Sequence, residues 1–193
     1  VAALTTAQVS KLEDNDAASL ARDAVAALSI DQVKALQASQ LGAMASTLIR
    51  QIGDVQLSNM GTAQIVALGA KIANLTASQV GALTTTQVNK LTNAQAMALT
   101  PTELSLMSND QINALSTDNL RSLSSTQLRA ISADAIQNLA TANLAKLKTD
   151  QLQVLRDEQL KALTTAELKT LDSDQVKALK ASQVALLTAD QIS

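Results

Sequence analysis

The chain has 193 residues and a net charge of −2, and it contains no cysteine, histidine, phenylalanine, tyrosine or tryptophan. The lack of cysteine and histidine excludes disulfides, thiol nucleophiles and the side chains that most often bind zinc. The near-neutral charge and the lack of aromatic rings argue against nucleic acid as a partner, because proteins bind it through basic surfaces and stacked bases.

An eight-residue repeat begins at Leu4 and runs through the chain. Its first position is leucine, isoleucine or methionine in all 24 units, and the spacing is eight residues except for one step of seven, between Leu68 and Leu75. The sixth position is a second aliphatic residue in most units, as in Val9 and Val33, so the unit reads L-[TS]-x-x-Q-[VIL]-x-x. Self-similarity at a fixed short period is typical of repeat architectures in which neighbouring units share one core.

The densest acidic run, EDND, lies early in the chain, at residues 13–16. Calcium binds oxygen ligands, but this run lacks the alternating spacing, the glycine and the later bidentate glutamate of a calcium-binding loop. We therefore expect a solvated, imperfect octad at this place, and the sequence predicts no metal site.

Glycine occupies the second position of three successive units, at Gly53, Gly61 and Gly69, and the third of them opens the shortened segment GAKIANL. Glycine at a helix end permits a residue in the left-handed conformation. The sequence therefore predicts an irregular segment near residues 50–75, formed as a bend or a tightened coil. A notch that contacts a ligand is the alternative interpretation.

Capping signals are clearest in the middle of the chain. Threonine or serine at position two with glutamine or glutamate three residues later, as in Thr84 and Gln87, is a capping box, so each octad is predicted to begin a helix at position two. Pro101 directly follows the cap Thr100, at a position where a missing N–H costs nothing. A single continuous amphipathic helix is the rival interpretation, but alternating steps of five and three do not match the helical period.

A new cap every eight residues leaves helices of about six residues, which are too short to be stable alone. Their apolar positions must therefore pack against neighbouring units, and the predicted fold is an all-α solenoid of short capped helices. In this register Leu115 is predicted to be buried, and Asn113 is predicted to be exposed and of little importance to stability.

Position eight of the octad suggests how many octads form one coil. From Ala67 onward, alternate units carry alanine there in seven of eight cases, whereas the interleaved units carry none. This sixteen-residue alternation predicts two unlike helices in each coil, and three octads per coil is the alternative. At about 9 Å per layer of packed helices, two octads per coil predict a rod on the order of 110 Å and three predict a rod of about 70 Å.

A repeat array has no separate cores, so residues 1–193 are predicted to form one continuous solenoid. The pattern is under way at the first residues, and Ile192 still fills an apolar position. We therefore expect the chain to be excised from a longer polypeptide.

Catalysis is not expected from this sequence. Acidic residues recur at helix-start positions, as at Asp31 and Asp110, where the helix dipole and solvent account for them. No catalytic, cofactor-binding or metal-binding residue is assigned, and no cofactor or small-molecule substrate is predicted. The chain also lacks the run of about 18 apolar residues of a membrane span, so membrane insertion is not expected.

Phrases such as LTTTQVNKL (83–91), LSSTQLRAI (123–131) and LTTAELKTL (163–171) resemble the Leu-Thr-x-x-Gln-Val octads of very large secreted bacterial surface proteins, including RTX-type adhesins. The resemblance covers essentially the whole chain. It implies an extender, or stalk, outside the bacterial cell that holds a binding domain away from the surface. The implied partners are neighbouring domains of the same chain, and we expect a monomer.

The alternative function is a binding module that uses one face of the solenoid for a protein or a glycan. Binding surfaces usually concentrate aromatic or arginine side chains at their energetic centre. The variable positions of these octads hold mainly threonine, serine, asparagine, lysine and aspartate, and aromatic residues are absent. This composition favours the structural spacer.

Overall fold

Helices account for all regular secondary structure in residues 3–192, the part of the chain that the computed structural model describes. The predicted all-α class is confirmed, since many short helices pack in a repeating pattern. The packing divides the chain into two compact units, residues 1–98 and 99–193. The expectation of one continuous array over residues 1–193 stays a prediction.

The first unit is built of helices that are four to six residues long. In its described part these are α1 (Thr6–Val9), α2 (Asp14–Ala18), α3 (Arg22–Ala26), α4 (Ile30–Ala35), α5 (Ala38–Ala43), α6 (Ser46–Ile49), α7 (Asp54–Ser58), α8 (Thr62–Ala67), a 3-10 helix (Gly69–Asn74), α9 (Ala77–Ala82), α10 (Thr85–Asn89) and α11 (Asn93–Ala98).

The second unit has α-helices of the same lengths and no 3-10 helix in its described part. They are α12 (Pro101–Leu106), α13 (Asn109–Ala114), α14 (Thr117–Ser122), α15 (Ser125–Ala130), α16 (Ala133–Gln137), α17 (Thr141–Leu144), α18 (Thr149–Gln153), α19 (Asp157–Ala162), α20 (Thr165–Leu168), α21 (Ser173–Ala178), α22 (Ala181–Val184) and α23 (Ala189–Ile192).

The helices begin where the capping pattern predicts. Thr84 is extended (φ −73°, ψ 155°), its hydroxyl oxygen accepts a hydrogen bond from Gln87 N at 3.2 Å, and Gln87 Oε1 accepts one from Thr84 N at 2.9 Å. Pro101 lies in the first turn of α12, directly after the cap Thr100. The helices stay short because the next extended cap follows eight residues later.

Three octads, and not two, complete one coil. In the first unit α4 packs on α1, α5 on α2 and α7 on α4, and in the second unit α16 packs on α13 and α19 on α16. Each of these contacts joins helices that are three octads apart. The prediction of two octads per coil was therefore wrong and its alternative is correct. The sixteen-residue alternation of alanine does not follow the coil.

The conformation of the turns explains this number. Leu36 and Gln37, which join α4 to α5, are both extended, with φ of −59° and −75° and ψ of 133° and 154°. Two helices per coil would need tight reversals, which commonly use a left-handed residue after the helix. Among the described residues Gly69 alone has a positive φ. An extended pair redirects the chain without reversing it, so a third helix is needed to close the coil.

Positions one and six form the core, as the register predicts. Leu115 is 1% exposed and Ile112 is fully buried, whereas Asn113 is exposed. The small residue Ala96 takes position six in α11 and is fully buried as well. Ile192 was assigned to the same position, but its side chain lies outside the described part of the chain. Within each unit the aliphatic layers of successive coils pack on one another, which is how such short helices become stable.

The shortened unit forms the 3-10 helix Gly69–Asn74. A 3-10 helix rises more per residue than an α-helix, so six residues can span the distance that a longer segment would need. Gly69 has a φ of 53°, whereas Gly53 and Gly61 are ordinary extended caps, each with φ of −68°. The expectation of left-handed geometry was therefore wrong for Gly53 and Gly61, because an extended cap does not require glycine.

Candidate functional site

Position five is the polar position of the octad that the structure buries. Twelve glutamines there are at most 8% exposed. The capping pattern identified these residues but did not predict their burial. A buried amide is stable only when both its oxygen and its nitrogen are hydrogen-bonded. The twelve are Gln32, Gln40, Gln64, Gln79, Gln87, Gln95, Gln111, Gln127, Gln151, Gln159, Gln175 and Gln183.

The oxygen of each amide caps its own helix. Gln79 Oε1 accepts a hydrogen bond from Thr76 N at 2.8 Å. The same bond forms where position two has no hydroxyl, since Gln159 Oε1 accepts one from Arg156 N at 2.9 Å. Position five therefore satisfies an orphan N–H of the helix start without help from position two. Position two can vary more freely as a result.

The nitrogen of the same amide bonds the preceding coil. Gln159 Nε2 donates to the carbonyl oxygens of Leu128 and Ile131, each at 2.8 Å. These carbonyls lie at the end of α15, where helical carbonyl groups lack a partner within the helix. Bonds of 2.6 to 3.1 Å to the equivalent position-one carbonyl are donated by Gln32, Gln40, Gln64, Gln79, Gln87, Gln127, Gln151, Gln175 and Gln191.

Position five, the residue before the second aliphatic position, falls into three series because every third octad lies in the same place of successive coils. The first series is glutamine or glutamate in all eight octads, the second is glutamine in six, and the third is glutamine in two. This recurrence at three octads is the sequence signal that could have predicted the coil. The first series is Gln8, Gln32, Gln56, Gln79, Glu103, Gln127, Gln151 and Gln175; the second is Asp16, Gln40, Gln64, Gln87, Gln111, Ala135, Gln159 and Gln183; the third is Ala24, Leu48, Lys71, Gln95, Asn119, Asn143, Glu167 and Gln191.

Glutamate replaces glutamine at two buried sites, Glu103 (5% exposed) and Glu167 (3% exposed). One carboxylate oxygen takes the capping role in each, since Thr100 N donates to Glu103 Oε2 at 2.7 Å and Thr164 N donates to Glu167 Oε2 at 2.6 Å. A carboxylate has no N–H to donate from its other oxygen. Glu103 Oε1 is buried without a hydrogen-bond partner. These two octads therefore keep the cap but lack the donor that links coils.

Other side chains also bond between coils. Lys71 Nζ, in the third series, donates to the carbonyl oxygen of Gly42. Asn113 Oδ1 accepts a hydrogen bond from Ala140 N at 2.9 Å, one coil further along. Asn113 is exposed, as predicted. The expectation that it contributes little to stability did not take this hydrogen bond into account.

Two arginines bond backbone carbonyls at the surface of the second unit. Arg156 Nη2 donates to Ile131 O at 3.2 Å and Arg129 Nη1 donates to Val154 O at 3.4 Å. Both arginines line a cavity of about 320 Å³ whose other walls are Leu155, Asp157 and Glu158. Two cations and two anions leave this cavity without a net charge to attract an ionic ligand.

The acidic run at residues 13–16 leads into α2, and its four residues are exposed. Within residues 3–192, three or more acidic side chains do not come together as a group that could hold a metal ion. The assignment of no catalytic, cofactor-binding or metal-binding residue stays a prediction. Among the described helices, none is long and apolar enough to cross a membrane.

Part of the chain is similar to a known repeat family. Residues 158–189 match the family model of the ALTTAQ repeat, a segment that includes α20, α21 and α22. No curated protein shows significant similarity to the chain. The match supports a repeat region, in agreement with the octads and the stacked helices, and residues 158–189 are similar to the ALTTAQ repeat.

Proposed function

We propose that the chain is a structural spacer, an extender module of a bacterial surface adhesin that projects a binding domain away from the cell. The observation that carries this proposal is the repetition of one joint between coils. In that joint a buried glutamine donates to carbonyl oxygens of the preceding coil, as Gln175 does to Leu147 O at 2.8 Å, beside a continuous aliphatic layer. A stalk needs such a joint because its stiffness is set by the weakest contact between neighbours.

The glutamine bond adds direction to the joint. Apolar burial is non-directional, so layers of leucine and valine alone resist separation more than they resist twisting. A hydrogen bond weakens steeply when its angle departs from linearity. Gln159, with bonds to two carbonyls at 2.8 Å each, therefore fixes both the distance and the rotation between α19 and the coil below it.

The fold makes the module stiff but short for its number of residues. A coil of three octads adds about 9 Å, the distance between packed helices, whereas the same 24 residues fully extended would span about 80 Å. A stalk of this kind needs many coils to reach far. This requirement fits a module of a very large protein.

The surface composition supports the same proposal. Positions three, four and seven expose mainly hydroxyl, amide and charged groups, and the chain has no aromatic residue to anchor a partner. The proposal places the module at the cell surface, gives it neighbouring domains of the same chain as partners, treats it as a monomer and assigns it no reaction.

The proposal is tested by measuring distances within the second unit. Thr102 and Asp174 occupy exposed position four in octads that are three coils apart, and the chain has no cysteine of its own. Spin labels on Thr102→Cys and Asp174→Cys should give a narrow distance distribution by electron paramagnetic resonance. Inserting a second copy of residues 147–170 after Thr170 should lengthen the distance by about 9 Å.

Calcium is the control for this measurement. The aliphatic layers and amide bonds need no metal, so adding calcium should leave the distance and its width unchanged. A broad distribution, or a shift on adding calcium, would contradict a stiff spacer and favour a ligand-controlled binding solenoid.

A further inference from the structure

Two arginines of the first unit lie on one open surface. Arg22 is the first residue of α3, Arg50 directly follows α6, and α6 packs on α3. The two arginines are 28 residues apart in the chain, so the stacking of one coil on the next brings them together. With Thr47, Gln51 and Thr76 they line a cavity of about 410 Å³. We refer to these five residues as the arginine groove.

Both guanidinium groups of the groove have their N–H donors available. Arg22 and Arg50 are exposed, and among residues 3–192 neither side chain makes a hydrogen bond or an ion pair. The arginines of the second unit that donate to backbone carbonyls differ in this respect, since Arg129 bonds Val154 O at 3.4 Å. A guanidinium is a planar fork of donors that can form two parallel hydrogen bonds to one carboxylate or phosphate group. The groove therefore presents two forks to a ligand.

The residues that line the groove include no carboxylate. Asp23 and Asp54 lie near the two arginines in the sequence, but neither lines the groove, and Asp54 accepts a hydrogen bond from Ser78 Oγ. The second unit pairs its arginines differently, because the cavity of Arg121 also contains Asp172 and Asp174 and that of Arg129 contains Asp157 and Glu158. A concave surface with charges of one sign attracts ligands of the opposite sign.

We propose that the arginine groove binds an acidic saccharide, a sugar chain that carries sulfate or carboxylate groups. The two guanidinium groups pair with the anionic groups. Gln51 Nε2 donates to Thr47 O at 3.1 Å, which leaves Gln51 Oε1 to accept from a sugar hydroxyl. Thr76 Oγ1 accepts from Gln79 N at 3.2 Å, which leaves its O–H to donate to one. The inference goes beyond the spacer proposal and does not depend on it.

A saccharide fits these walls better than other anionic partners do. The walls are arginine, threonine and glutamine, so they offer no apolar pocket for the anchor residues of an acidic peptide and no aromatic ring for a nucleic-acid base. Attraction to an anionic membrane commonly uses about four to eight clustered basic residues, and the groove has two.

The placement of the arginines also suits a chain-like ligand. Arg22 and Arg50 occupy positions three and seven of their octads, which are about 6 Å apart along a helix. Both are exposed, as is Thr47 between them at position four, so a sugar chain can cross the groove and leave it at either end.

The test is isothermal titration calorimetry of the full chain with two acidic probes, an oligosaccharide of dextran sulfate and an oligogalacturonate. Low salt, about 50 mM, limits the screening of exposed charges. Both probes should bind, and Arg22→Gln with Arg50→Gln should weaken their binding by at least about tenfold. Arg22→Lys with Arg50→Lys keeps the charge but loses the planar fork, so binding should weaken by about threefold. Circular dichroism checks that each variant is folded.

A matched control removes the same charge elsewhere. Arg121 and Arg129 are exposed but lie beside carboxylates, so Arg121→Gln with Arg129→Gln should change the affinity by less than about twofold. Neutral dextran should not bind. Equal losses from the two arginine pairs would overturn the proposal, since net charge alone would then explain binding.

Three further results would also overturn the proposal. The first is that neither acidic probe binds the wild-type chain. The second is that polyglutamate, single-stranded DNA or phosphatidylglycerol vesicles bind as tightly as the saccharides, which would identify another class of partner. The third is that the double lysine variant binds as tightly as wild type, because the guanidinium forks would then have no role.

Discussion

Two series of octads in the first unit build the same core with different hydrogen bonding. In the first series Gln32, Gln56 and Gln79 each donate to a carbonyl of the preceding coil. In the third series the corresponding residues are Ala24, Leu48 and Lys71, and only Lys71 has a polar group. The position-six residues are nevertheless at most 1% exposed in both, at Val33, Leu57 and Val80 and at Val25, Ile49 and Ile72.

The comparison of the two series distinguishes the role of the aliphatic residues from that of the position-five glutamine. Aliphatic burial is common to both series, so it is sufficient to close the coil, whereas the glutamine bond fixes the register of one coil on the next. The shortened unit supports this division, because the 3-10 helix Gly69–Asn74 belongs to the third series. A missing residue can be accommodated there since no glutamine has to meet a particular carbonyl.

The largest effect should come from the core that both series share. Leu115 lies in the third series and Leu123 in the first, both at position one, and they are 1% and 4% exposed. Changing either leucine to alanine should lower the free energy of unfolding by about 2 to 5 kcal/mol. Urea denaturation of both variants measures this loss in the free energy of unfolding. A loss confined to one of the two series would contradict the shared role of the aliphatic layers.

The next effect concerns the glutamine bond itself. Gln151 Nε2 donates to Leu120 O at 2.9 Å and to Leu123 O at 3.1 Å. In Gln151→Glu an oxygen faces two carbonyl oxygens, so the free energy of unfolding should fall by about 2 to 3 kcal/mol. Thermal denaturation of this variant and of wild type provides the measurement. A neutral result would show that position five acts only as a helix cap.

The reverse substitution, glutamate to glutamine, should increase stability. Glu167 is 3% exposed and caps α20 through Oε2, but it has no N–H for the preceding coil. Glu167→Gln keeps the cap and adds the donor that the other position-five glutamines have, so stability should rise by about 1 kcal/mol. Glu167→Gln and Gln151→Glu should be measured under the same conditions. The first variant should raise the denaturation midpoint and the second should lower it. A fall in stability would contradict the proposed register of the amide.

The smallest effect concerns the surface. Asn113 is exposed but accepts a hydrogen bond from Ala140 N, so Asn113→Ala should cost about 0.5 to 1 kcal/mol. Thr102 is also exposed and its hydroxyl makes no such bond, so Thr102→Ala should change stability by less than about 0.5 kcal/mol. Chemical denaturation of both variants separates the two values. Equal effects would show that the bond of Asn113 contributes nothing between coils.

The local features of this fold were predictable because they depend on residues within one octad. A cap and its partner, such as Thr84 and Gln87, are three residues apart, and positions one and six alternate with polar residues. The helix starts, the apolar positions and the role of Pro101 follow from those short distances. The same short distances predict the capping role of position five, but they do not predict its hydrogen bond to the preceding coil.

The bond of the glutamine nitrogen was not predicted because its acceptor lies 28 residues away in the chain, as Ile131 O does from Gln159. A capping box already accounts for a glutamine at position five, so the sequence gives no local reason to expect a second hydrogen-bond partner. The recurrence of position five at every third octad was the available signal. The alternation of alanine at every second octad instead predicted two octads per coil, which is wrong.

By itself the sequence determined a chain of short capped helices that cannot be stable alone, since caps and apolar positions recur every eight residues. The tertiary structure decided that three of these helices form a coil, because turns with two extended residues, such as Leu36 and Gln37, redirect the chain without reversing it. It also decided that position five is buried, because only stacking brings the helix end of one coil against the helix start of the next.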